Sequence, residues 1–147
     1  MIRLTDQTID TASLLATASR PEAGAVLLFL GITREWTDDR RTVALDYEAY
    51  APMAGQKLAE LEAEARRRWP LAECLIVHRV GNVAASEASV AIVVSSAHRH
   101  DAFAAGEWLI DTLKESVPIW KCEEYEDGAI EWVHPGVDLP KKHPARS

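Results

Sequence analysis

Two prolines divide this chain more sharply than any other feature. Pro70 and Pro118 each close a stretch with helical periodicity and open one rich in β-forming residues. A proline lacks the amide hydrogen a helix needs and pushes the residue before it toward extended geometry, so each is a stop signal. Ahead of Pro70, residues 53–69 set Leu58, Leu61, Ala65 and Trp69 on one stripe. Lys57, Glu60, Glu64, Arg67 and Arg68 lie largely off it, as a helix over a core requires. Ahead of Pro118, "DAFAAGEWLIDTLKE" turns Ala102, Gly106, Leu109, Ile110 and Leu113 to one side. Two long helices are therefore predicted, each followed at once by a strand.

The remaining segments read mostly as strands. "MIRLTD" predicts a short first strand, and "TIDTASLLATAS" a short helix with Leu14, Leu15 and Ala18 on one side. "AGAVLLFLGITRE" is a continuous apolar run between glycines and predicts a buried strand. "WTDDRR" reads as a polar, turn-rich loop, and "TVALDYEAY" as a strand whose Val43, Leu45, Tyr47 and Ala49 share a face. "AECLIVHRVG" and "SVAIVVSSA" predict neighbouring strands, and "IWKCEEY", "EDG" and "AIEWV" outline a hairpin. Strands outnumber helices without strict alternation, which indicates an α+β fold with a single domain over residues 1–134. The Pro- and Lys-rich stretch 135–147 is predicted to be a flexible tail.

Composition narrows function by exclusion. The chain has 147 residues and a formal net charge of -7, which argues against binding a nucleic-acid polymer. No apolar run is long enough to span a bilayer, and the N-terminus does not read as a secretory signal. Cys74 and Cys122 are far apart, so a reducing cytoplasm is the default compartment. His, Cys and acidic residues nowhere adopt HExxH or CxxC spacing, and neither a metal nor a cofactor is predicted.

Positive charge nevertheless recurs where elements end. His98, Arg99 and His100 fall at a strand-to-helix connection, where unpaired amides and the helix dipole favour an anion. They fit a phosphate or carboxylate site; the competing reading is solvated surface. Arg34 emerges just past an apolar strand, with the same two readings. In "LKESVPIWKCEE", Lys114 falls in the last turn of a helix, where the dipole suits a cation. Strand alternation puts Ile119, Lys121 and Glu123 on one face and Trp120, Cys122 and Glu124 on the other, with Trp120 and Cys122 assigned to the core. A tight reversal at Ser116–Pro118 would bring Lys114 and Lys121 into one pocket, where two ammonium groups would lower each other's pKa and supply a base or nucleophile. His78 and Cys74 read as structural residues inside strands.

Several of these segments, in order, resemble the catalytic (large) subunit of molybdopterin synthase. They are "GAVLLFLGITRE", "LDYEAYAPMA", "RWPLAECLIVHRVG", "SSAHRHDAFAAGEWLIDTLKESVPIWKCE" and "EWV". The resemblance implies an α/β-hammerhead fold and a homodimer within a heterotetramer. Its partner would be a small ubiquitin-like sulfur carrier ending in a Gly-Gly thiocarboxylate, and its substrate cyclic pyranopterin monophosphate, converted to the molybdopterin dithiolene. It also implies that Lys114 and Lys121 are catalytic and that Arg34, His98 and Arg99 contact substrate. Cys122 departs from the pattern, since many relatives carry a basic residue there. His134, Lys141 and Lys142 are candidates for a residue reaching a neighbouring subunit's pocket. Two rival readings are a non-catalytic module binding a protein tail or small phosphate ligand, and a lysine Schiff-base enzyme.

Overall fold

A computed structural model describes residues 1–133; the 135–147 tail and the candidates His134, Lys141 and Lys142 lie outside the described residues. The chain runs β1 (Ile2–Thr5), α1 (Thr11–Ala18), β2 (Ala25–Ile32), β3 (Trp36–Thr37), β4 (Arg40–Ala49) and α2 (Ala51–Arg68). It continues through β5 (Leu71–Arg79), β6 (Gly81–Ala84), β7 (Ala88–Ser96), α3 (Arg99–Ser116), β8 (Ile119–Tyr125) and β9 (Ile130–Val133). The fold is mixed α+β and dominated by antiparallel pairs, as the residue patterns predict.

The strands divide into two sheets. The first has the order β1-β5-β7-β2, and only its β1–β5 pair is parallel. The second has the order β3-β4-β8-β9, with β6 also paired to β4. The first sheet is covered on both faces. Alternation along β5 sends Leu75 and Val77 toward Leu14 and Ala18 of α1. Cys74 and Ile76 point the other way, into the main core with Leu58 and Leu61 of α2 and Leu109 of α3. The same core includes Leu45, Tyr47, Val117 and Ile119, so the second sheet and the end of α3 meet over it.

Local chemistry explains the element ends. Asp10 caps α1 by accepting from the Ser13 amide. Both long helices have 18 residues and end where predicted, with Trp69 and Val117 in extended geometry before their prolines. They begin one turn or less earlier than the periodicity suggested, at Ala51 and Arg99. In α3, Gly106 lets the helix approach the first sheet: a Cβ there would stand 2.4 Å from Leu27 Cδ2.

Four expectations are corrected. The apolar run of β2 is not a buried strand but the edge of the first sheet, with Val26 and Ile32 exposed. A run of apolar residues does not reveal whether a neighbour pairs on each side. "WTDDRR" is not a loop alone: Trp36–Thr37 pairs with Arg40–Arg41 in a hairpin whose turn holds Asp38 at φ 54°. In β4 a register shift between Thr42 and Ala44 displaces Val43 to the surface, leaving Leu45 and Tyr47 buried as predicted. Finally, Trp120 is 47% exposed while Ile119 is 3% exposed, so the core side of β8 is the lysine side. Cys122 faces away from the cavity as predicted but is only half-buried, outside the core.

Candidate active site

The lysine site begins with the end of α3. The Val117 amide closes the helix on the Leu113 carbonyl at 3.1 Å, and the Ile119 amide bonds the Val117 carbonyl at 2.8 Å. This tight reversal buries Val117 and Ile119 under the helix end. Period-two alternation then carries Lys121 and Glu123 inward behind Ile119. Lys114, on the last turn, and Lys121 therefore line the same cavity of about 280 Å³. A cation in that turn also suits the negative pole of the helix.

The opposite wall comes from the strand-end segment after β2. Thr33 is pinned by its amide to the Glu87 carbonyl and by its carbonyl to the Ser86 amide, and Arg34 follows at the cavity rim, exposed. Leu45, Val90, Ile110, Leu113 and Ile119 supply an apolar floor. Neutral polar groups sit among them. Tyr47 hydrogen-bonds Ser89, and burial pushes its phenol up; Ser89 Oγ in turn donates to the Gly31 carbonyl at 3.2 Å.

His78 also lines this cavity. Its Nδ1 donates to the Arg79 carbonyl at 2.7 Å, and its ring meets Tyr47 edge-on at 5.2 Å between centroids. Burial lowers its pKa to about 4, so it is neutral at physiological pH. That agrees with a satisfied structural histidine that forms part of a wall. Cys74 is likewise structural: it is fully buried, and burial raises its thiol to about 11.

Glu123 was not among the candidate site residues, although it shares the Lys121 face. Its Oε1 lies 3.9 Å from Lys121 Nζ, and its Oε2 accepts from the Tyr125 hydroxyl. The cavity thus presents Arg34, Lys114 and Lys121 around one carboxylate, over an apolar floor. Such a place suits a small anion with an apolar or planar body.

His98 and Arg99 are elsewhere. They line an open groove at the start of α3 with Gly24, Ala97, His100 and Phe103, and this groove shares no lining residue with the lysine cavity. His98 is the N-cap residue but makes no side-chain cap hydrogen bond. Gly24 is required here by close approach, since a Cβ would fall 2.3 Å from the Ala97 carbonyl oxygen. Within one chain the five candidate residues therefore form two groups rather than one. Among the described residues, no cluster of His, Cys, Asp or Glu is arranged to hold a metal ion. No helix among them is long and apolar enough to cross a membrane.

Comparison with known proteins gives consistent results. Residues 4–116 match the family model described as MoaE protein. The molybdopterin synthase catalytic subunit of Bacillus subtilis (strain 168) is 45% identical over 130 residues, covering 88% of this chain and 82% of that protein. The crystal structure of molybdopterin synthase from Staphylococcus aureus superposes with a TM-score of 0.83 at 42% identity, covering 88% of this chain and 94% of that one. A complex of subunits 1 and 2 of the molybdopterin-converting factor from Helicobacter pylori 26695 gives a TM-score of 0.73 at 21% identity, covering 90% of this chain and 88% of that one. At that identity it shows a shared fold.

Proposed function

Because this chain belongs to the MoaE protein family, whose named relatives are molybdopterin synthase catalytic subunits, we propose that sulfur transfer takes place in its Lys114–Lys121 cavity. As a family member it is a sulfur-transferring enzyme of molybdenum cofactor biosynthesis, which sets aside the non-catalytic binding module and the Schiff-base reading. The observation that carries the assignment of the site is the convergence of Lys114, Lys121 and Arg34 on one cavity from three separate segments.

The donor in this reading is the C-terminal Gly-Gly thiocarboxylate of a small ubiquitin-like carrier, and the acceptor is cyclic pyranopterin monophosphate. The carrier sulfur forms a bond to a side-chain carbon of the pterin as a carbon–oxygen bond at that carbon breaks, the oxygen leaving as water or as the freed arm of the opened cyclic phosphate. Water then cleaves the resulting thioester, releasing the carrier as a carboxylate and leaving the sulfur on the pterin; a second round completes the dithiolene. Both reactants are anionic, and Arg34 with the two ammonium groups offsets that charge. Lys121, held inward behind Ile119, stabilises the oxyanion of thioester hydrolysis and moves protons at that centre, while Lys114 positions the carrier tail.

His98 and Arg99 fit this scheme through a second copy of the chain. One anionic substrate reaches both cation groups only if a homodimer sets the α3 groove of one protomer beside the lysine cavity of the other. The carrier then binds each copy, giving a heterotetramer, and the paired subunits of the Helicobacter pylori structure support a two-component assembly. The free thiols of Cys74 and Cys122 fit a cytoplasmic location.

Reconstitution tests the reading. Full-length chain, thiocarboxylated Gly-Gly carrier and cyclic pyranopterin monophosphate are expected to yield dithiolene product; none, with a carrier proven competent, sinks it. Mixing an Arg99→Ala protein with a Lys121→Ala protein is expected to recover activity that neither has alone. No recovery in confirmed mixed dimers overturns the shared site.

A further inference from the structure

We infer that Tyr125 is a positioning residue that holds the Glu123 carboxylate against Lys121; the inference rests on the role proposed above for Lys121. The starting point is an arrangement that folding alone does not favour. Glu123 and Glu131 stand directly opposite each other in the β8–β9 ladder, where like charges destabilise a strand pair. Glu131 is also only 4% exposed, and a buried carboxylate loses its hydration.

Tyr125 lies between them. It follows Glu123 by two residues and therefore shares its face. Its hydroxyl donates to Glu123 Oε2 and lies 3.5 Å from Glu131 Oε2. The other Glu123 oxygen, Oε1, is the one beside Lys121 Nζ. The carboxylate is thus held at one oxygen from the sheet interior and offers the other to the cavity. From β4, the Arg40 guanidinium lies 3.6 Å above the Tyr125 ring centroid and fixes the ring itself. Burial first, then the hydrogen bond to Glu123 and the charges of both carboxylates, push the Tyr125 phenol up against the opposing Arg40. The hydroxyl therefore keeps its proton and acts as a donor.

Reaction rate depends steeply on where a catalytic group sits, because small displacements lose aligned geometry. Glu123 fixes the place of the Lys121 ammonium, and the Tyr125 hydroxyl fixes the place of Glu123. Tyr125 need not touch substrate for this.

The test uses the full chain with carrier and pterin. Tyr125→Phe keeps the ring under Arg40 and removes only the hydroxyl. Its kcat per folded molecule is expected to fall about tenfold, with KM for both reactants within about twofold, alongside a lowered melting transition from the acceptor oxygens left without a donor. Adding Tyr125→Phe to Lys121→Arg should cause no further fall, since the effect passes through Lys121. Unchanged kcat in Tyr125→Phe, or a loss carried by KM, overturns the inference while Lys121→Ala remains inactive. Full turnover by Lys121→Ala instead overturns the reading of Lys121 beneath it.

Discussion

The two sheets use the same alternation of side chains for opposite ends. In the first sheet, β5 and β7 are central, and both of their faces are apolar: Ile76, Ile92 and Val94 on one side, Leu75, Val77 and Val93 on the other. In the second sheet, the core side of β8 begins with Ile119 and continues through Lys121, Glu123 and Tyr125, with Glu131 beside it on β9. The first sheet spends most of its buried positions on packing, with His78 and Arg79 at the end of β5 as its ionisable exceptions. The second places ionisable groups along the core side of β8, and two of them, Lys121 and Glu123, line the cavity. The difference locates stability and chemistry in separate layers that meet at the end of α3.

The largest effect should come from the second sheet. Lys121→Ala is expected to lower kcat by about 10²–10⁴-fold with little change in unfolding free energy, measured by dithiolene formation beside chemical denaturation. A parallel loss of stability would break the division between layers. The converse substitution, Leu109→Ala at a fully buried position facing the first sheet, should cost about 2–5 kcal/mol. Turnover per folded molecule should hold in that variant, as read from denaturant curves and active-site-normalised rates.

His78 sharpens the comparison because it belongs to both layers, in β5 and in the cavity wall. Burial depresses its folded pKa to about 4, against about 6.5 in an unfolded chain. The unfolded state therefore binds the extra proton between those values, and stability falls as pH drops through that window. The loss reaches at most about 3 kcal/mol near the bottom of the window. Stability of the wild type minus that of His78→Gln, followed from pH 7 to pH 4, should show this fall; a flat difference would refute it. The smallest effect should come from the rim of the first sheet. Glu73→Ala removes ion pairs to Arg20 and Arg66, yet these partners are largely solvated. A change within about 1 kcal/mol, shrinking further in salt, is expected from thermal melts.

Much of this was legible in the residues. The 3.6-residue stripes of α2 and α3 and the prolines that end them are local properties, so both helices and the strands after them could be read directly. Lys114 and Lys121 could be brought together on the same grounds, because only a reversal at Pro118 separates them. Glu123 was visible on the Lys121 face, but nothing local marked it as a partner. Within a single chain the five candidates stand in two groups, since His98 and Arg99 are at the opposite end of α3 from Lys114.

The sequence by itself determined where helices stop, which strand positions alternate, and that Lys121 stands opposite Trp120. It could not say which of those two faces is covered. Side-chain size pointed to the tryptophan, but the turn at Val117–Ile119 packs two smaller residues under the helix end, and Trp120 is left outside. The register shift that expels Val43 and the edge position of β2 were hidden for the same reason. Alternation is a property of one strand, whereas inside and outside depend on what another layer covers.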